Sequence, residues 1–286
     1  MKFKMGTNRV FRLSFLVLIL ILLGGCAKKL LYSNIDWVVI EYLDNYVSLD
    51  GEQESLLEER VLLLADWHKS EELPNYISHL KELENLQEKD ITLEALEQNR
   101  EKMRAHYERL VAKAAPELFS LSMLLTEKQE KEFLDNVQER YQERNEKYLG
   151  KSDEEIRGMI FENTEEWMED WIGSITKEQK ARAKLLAGQV VINSEYWRDY
   201  RSTIHQELVV LFDNKSNNML YQQSFMQLLF EPDSYYSDQL SKNIEQNMRL
   251  TDQFTVEIAQ SMSDKQWRHF RHKVREWRVL AEELAN

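Results

Sequence analysis

The sequence predicts an all-α protein, a multi-helix bundle of about nine or ten helices, from three observations. Breakers are scarce, with 8 Gly and 3 Pro in 286 residues. Charged residues make up 30% of the chain, and many are Glu and Lys, which lose little side-chain freedom in a helix. Apolar residues recur at helical spacing, as in Ile35, Val38, Val39, Tyr42, Leu43 and Tyr46 and again in Trp267, Phe270, Val274, Trp277 and Ala281, and no sustained period-two run suggests a sheet.

The chain begins MKFKMGTNRVFR, with four basic residues and no acid, and runs through LSFLVLILILL to Gly24-Gly25-Cys26. A basic start, a short apolar stretch and small residues before a cleavage point form a secretory signal, so residues 1–25 are expected to be removed; an uncleaved anchor helix is the alternative. Leu23-Gly24-Gly25-Cys26 resembles a bacterial lipobox, which implies that Cys26 is acylated and becomes the new N-terminus. Ala27 at the next position implies, by the sorting pattern of such lipoproteins, an outer-membrane anchor facing the periplasm, with residues 26–33 as lipidated N-terminus and short tether. Cys26 is the only cysteine, so no internal disulfide forms in a compartment that would permit one. Loss of the basic signal takes the net charge from −13 to −17, which excludes the basic footprint of a nucleic-acid binder.

Two helical units are expected, residues 34–149 and 152–286, the second packed on the first, because Leu149-Gly150-Lys151-Ser152 is too short for a flexible linker. Pro74 fits the first turn of a helix carrying Tyr76, Ile77, Leu80 and Leu83, and Pro116 is expected to open another, short and apolar. Ser152 with Glu155 makes a capping box, Gly173 fits a left-handed stop after Trp171, and Glu231-Pro232-Asp233-Ser234 marks a further loop.

One short word recurs: LTEKQ at 125–129 and ITKEQ at 175–179, with looser copies at Leu49-Asp50-Gly51-Glu52-Gln53 and Met262-Ser263-Asp264-Lys265-Gln266. In each, a short oxygen-bearing side chain precedes Gln by three positions, the spacing at which both satisfy orphan N–H groups of a helix start. The expected structural caps are Asp50 with Gln53, Thr126 with Gln129, Thr176 with Gln179 and Ser263 with Gln266, with Leu49, Leu125, Ile175 and Met262 pointing into the core. The two strict copies resemble the LTxxQ motif of periplasmic helical chaperones and stress adaptors of the Spy and CpxP type. That resemblance implies two tandem LTxxQ units, Leu49 pairing with Leu125 and Ile175 with Met262. The segments YSNIDWVVIEYLDNYVSLDGEQ and LLLADWHKSEELPNY also resemble an uncharacterised Gram-negative lipoprotein family, through Tyr32, Asn34, Asp36, Trp37, Leu49, Asp50, Gln53, Trp67, His68, Leu73, Pro74 and Tyr76.

Chemistry-bearing motifs are missing: no HExxH, Glu-x-x-His, CxxC, Gly-rich phosphate loop or GxSxG occurs, so neither catalysis, a cofactor nor a metal is expected. His269 and His272 share a helical face but are crowded by Arg268, Arg271, Lys273 and Arg275. Glu162, Glu165, Glu166, Glu169 and Asp170 read as a solvated face opposite Trp167 and Trp171. His68 is either a pH-sensitive contact or a cap on the preceding helix, with Trp67 in the core. Arg268, Arg271, Arg275 and Arg278 form a row beside an apolar stripe, a candidate contact for an anionic partner or, alternatively, the internal partners of neighbouring acids. The sequence thus points to a lipid-anchored binding protein, chaperone-like or stress-adapting, whose partners are the membrane and unfolded envelope proteins, or alternatively one envelope protein complex that it tethers. An enzyme without a familiar motif is the remaining class.

Overall fold

The computed structural model describes residues 30–286; the expected signal at residues 1–25, Cys26 and residues 27–29 of the tether lie outside them. Eleven α-helices and no strand occur among the described residues. They are α1 (Ile35–Leu43), α2 (Gly51–Trp67), α3 (Leu73–Glu84), α4 (Leu93–Met123), α5 (Glu127–Glu146), α6 (Asp153–Ile172), α7 (Lys177–Gln189), α8 (Ser194–Asp213), α9 (Asn218–Phe230), α10 (Asp238–Ser261) and α11 (Asp264–Ala285). The count exceeds the nine or ten expected, and no membrane-crossing helix is among them.

Pro116 does not start a helix: it lies inside the 31-residue α4. It is tolerated because Ala112, whose carbonyl loses its i+4 partner, is exposed and can be hydrated. Nor does Pro74 follow a break. A five-residue π turn, His68–Glu72, joins α2 to α3 without interruption, and the Leu73 N–H bonds to the His68 carbonyl five residues back. Pro74 has no N–H to give and pushes away the carbonyl at i−4, so the wider turn absorbs what an α-helix would lose.

The two halves are interwoven. α3 packs most closely on α11, α5 on α8 and α4 on α9, each contact crossing the 149–152 junction. Arg100 reaches Asp252 at 2.6 Å and Arg201 donates to Asn145 Oδ1 at 2.6 Å over the same divide. One core joins α6, α7 and α10 through Met168, Ile172, Ala183, Leu186, Val190, Phe254 and Ile258. An aromatic cluster, Phe133, Phe212, Tyr221, Phe225 and Phe119, ties α5 and α4 to α8 and α9, with Tyr221 wholly buried.

α6 ends at Gly173, whose φ of 75° and ψ of −149° suit glycine alone, and an added Cβ would stand 3.4 Å from the His269 ring. Gly173→Ala is expected to lower stability by about 2 kcal/mol in urea unfolding, since neither the backbone nor the ring can relax cheaply.

Candidate binding cleft and its polar surroundings

All four words form capping boxes, but their glutamines do more than cap. Gln53 Nε2 donates to Gln129 Oε1 at 3.1 Å, and Gln129 Nε2 donates back to Gln53 Oε1 at 2.6 Å. Each also donates to the carbonyl two residues before the other's cap, Gln53 to Leu124 at 2.9 Å and Gln129 to Ser48 at 2.9 Å. Gln179 and Gln266 repeat the arrangement at 3.3 and 2.9 Å, reaching the carbonyls of Ser261 and Ser174. The structure thus brings together Leu49 with Leu125 and Ile175 with Met262. Within each word the Gln is the buried residue, while the four apolar residues are half-buried; Ile175 and Met262 pack against the core of α6, α7 and α10 as expected.

The second clasp fixes where α11 starts, and α11 with α3 then frames an apolar cleft of about 460 Å³. Leu83 of α3, Trp171 of α6, Phe254, Ile258 and Ala259 of α10, Met262, and Trp267, Phe270 and Val274 of α11 line it. Trp167 stands at its edge, 56% exposed. The rim is polar, with Gln98, Asp90 and the ion pair of Lys102 with Glu82.

Behind the cleft wall runs a buried polar chain that sequence reasoning missed. His79 of α3, 7% exposed, bonds Asn99 Oδ1 through Nε2 at 2.8 Å, and its Nδ1 lies 3.1 Å from His106 Nε2. His106 Nδ1 lies 2.7 Å from Glu72, which is fully buried in the π turn and takes a two-pronged bond from Arg109 at 2.7 and 2.8 Å. Burial pushes the Glu72 carboxyl up, but hydrogen bonds from Arg109, His106 and Asn75 outweigh it and hold the pKa at about 2. Burial lowers His79 and His68 below the ordinary histidine range. His68 is the C-cap residue of α2, its backbone N–H bonding the Leu64 and Ala65 carbonyls, while its ring meets the Tyr32 hydroxyl at 3.0 Å, and Trp67 beside it is only half-buried. A buried Glu flanked by Lys-Ser-Glu and Leu-Pro offers no periodic signal, since its partners lie 34 and 37 residues away.

The other candidates are dispersed. Arg275 and Arg278 both bind Glu84, at 2.6 and 2.8 Å, and Arg271 lies over the Trp267 ring, so most of the arginine row is engaged internally; Arg268 is exposed. His269 bonds the Asp170 carbonyl at 3.0 Å and His272 faces Glu276 at 3.6 Å, and no metal-holding cluster occurs among the described residues. Glu165 pairs with Lys180 and Asp170 with Lys273, while Glu162, Glu166 and Glu169 are exposed.

Each clasp amide both donates and accepts, so removing one glutamine strands the other. Gln53→Ala and Gln129→Ala are each expected to cost about 2 kcal/mol, and the double variant far less than their sum, in a double-mutant cycle read by urea unfolding; Thr126→Ala, which loses only a cap, costs about 1 kcal/mol. Glu72 has a lower pKa folded than unfolded, so its contribution is present above about pH 4.5 and is lost as pH falls towards 2. Glu72→Gln is expected to cost on the order of 3 kcal/mol at neutral pH and to flatten the stability profile in that acid window.

No curated protein and no solved structure matches the chain. A family model does, over residues 45–241, a span holding the first clasp, the π turn and the Glu72 chain. The chain therefore belongs to DUF6279, a family of unknown function.

Proposed function

We propose that the protein is a lipoprotein anchored through Cys26 to the periplasmic face of the outer membrane, working by binding and not by catalysis, in a chaperone-like or stress-adapting role. The cleft between α3, α4, α6, α10 and α11 carries this reading. It is apolar, opens to the surface beside Trp167, and lies within the size range of binding sites, about 300–1,000 Å³. Apolar side chains of an unfolded envelope protein would enter it while the polar rim meets the client's backbone. Acidity keeps such a complex soluble, since the chain carries a net charge of −13 even with its basic leader. The rival reading, a tether for one anionic partner through α11, has less support because Glu84 already holds Arg275 and Arg278.

The test is aggregation of a chemically unfolded client at near-equimolar ratio, with the full protein in lipid nanodiscs and empty nanodiscs as control. Wild type is expected to suppress aggregation, and Ala259→Phe, which fills the cleft, to lose most of that effect while still folded by circular dichroism. No suppression by folded wild type would remove the chaperone reading; equal suppression by both would place client binding outside the cleft.

A further inference from the structure

We infer that the N-terminal end of α1, with the adjoining turn of α2, rests in the headgroup layer of the bilayer through Leu30, Trp37, Leu62 and Leu63. This deepens the reading of Cys26 as acylated and rests on it. Leu30, Ser33, Asn34, Trp37, Glu41 and Asp44 are exposed at helical spacing along α1 and the turn before it. That face is divided along its length. Leu30 and Trp37, 65% and 51% exposed, stand at the N-terminal end, and the acids Glu41 and Asp44 at the other.

The end of α2 extends the apolar surface. The Tyr32 hydroxyl donates to the Ala65 carbonyl at 3.4 Å and meets the His68 ring at 3.0 Å, so the start of α1 lies beside the last turns of α2. Leu62 and Leu63, 44% and 54% exposed, precede Ala65 by less than one helical turn. At its far end α1 is fastened to α5 instead, through Asn45 with Arg140 and Tyr46 with Phe133. The tether decides what covers the near end. Leu30 follows Cys26 by four residues, a reach of at most about 14 Å even when fully extended, so an acylated Cys26 brings this end against the headgroups. Trp37 lies about 10 Å farther along the helix, within the headgroup layer when the helix is tilted. Tryptophan concentrates at that level because its ring is apolar while its N–H stays wet. Charge agrees with this placement. Glu41 and Asp44 stand about 16 and 21 Å beyond Leu30, clear of anionic headgroups. Asp36 and Asp66 at the near end are outnumbered by Lys28, Lys29 and Lys69.

The experiment uses the full acylated protein in vesicles of phosphatidylethanolamine and phosphatidylglycerol. Cys26 is the only native cysteine and its thiol is taken by the lipid, so Ser33→Cys, Leu63→Cys and, as control, Met219→Cys each add one thiol for a fluorescent label. Met219 is 78% exposed in α9. The Ser33→Cys and Leu63→Cys labels are expected to be quenched about two- to threefold more than the Met219→Cys label by phospholipid carrying a shallow nitroxide, since only groups at headgroup level lie within its reach. Trp37→Glu is expected to float with the vesicles as wild type does, while bringing quenching of the Leu63→Cys label down towards the control. Floating protein whose Ser33→Cys and Leu63→Cys labels are quenched no more than the control would overturn the inference and leave the anchor standing. So would labels shielded from aqueous iodide yet untouched by the nitroxide, the sign of a second copy of the chain covering this end. Wild type that does not float would remove the anchor and the inference together.

Discussion

The reciprocal amide pair is the constraint from which the rest of the architecture follows. Two helix starts that abut bring together the positive ends of two dipoles and several unpaired N–H groups, an arrangement unfavourable without acceptors between them. Glutamine resolves it because its amide carries both functions on one rigid plane: the oxygen takes its own cap's N–H, and the nitrogen gives to the opposite loop. Glutamate would supply acceptors but no donor, leaving the Leu124 and Ser48 carbonyls unpaired and adding a buried charge. Leucine would satisfy neither loop. A neutral, two-way group at the third helical position is thus the chemical requirement, and the chain meets it four times.

Position then propagates outward. Gln266 sets the start of α11, whose apolar stripe can face only the groove left between α3, α6 and α10. On the other side of that stripe, Arg275 and Arg278 reach Glu84 near the end of α3, which pins the two helices along their length. α3 itself is oriented by the π turn that puts Glu72 under α4, where His106 and Arg109 neutralise it. The cleft is the space these three fixings leave unfilled: its apolar walls come from amphipathic stripes, and its size comes from the clasp and the Glu72 anchor. A void lined by large apolar residues persists only when surrounding contacts outweigh the packing it forgoes.

How much of this was legible follows from the range of each interaction. The helices and the caps depend on residues three or four apart, and those the sequence carries in plain view. That Gln and not the adjoining Leu or Ile would be buried was not legible, because it depends on a partner 76 or 87 residues away. The same holds for Glu72, which in sequence is one acid among many. The arginine row left two readings open. Its face was readable, but whether a cation faces solvent or Glu84 is decided by tertiary packing alone. Pro116 shows the limit of local rules, since an exposed i−4 carbonyl removes the penalty that usually makes proline a helix start.

The two kinds of buried polar structure respond oppositely to the surrounding medium. The paired glutamine amides have no protons to lose or gain at ordinary pH and no net charge for salt to screen. The Glu72–His106–His79 chain is ionisable throughout. His79 is held neutral by burial, so the folded state resists its protonation, and stability drains away as pH falls below the ordinary histidine value of 6.5. Charging His79 would set a cation against His106 and Lys102 from α4, with Glu82 of its own helix as the opposing acid and Asn99 as hydrogen-bond partner. Strain therefore enters at the α3–α4 contact, which is one wall of the cleft, and not at the clasps. Acid thus acts on the α3–α4 contact through His79 and not through the clasp amides.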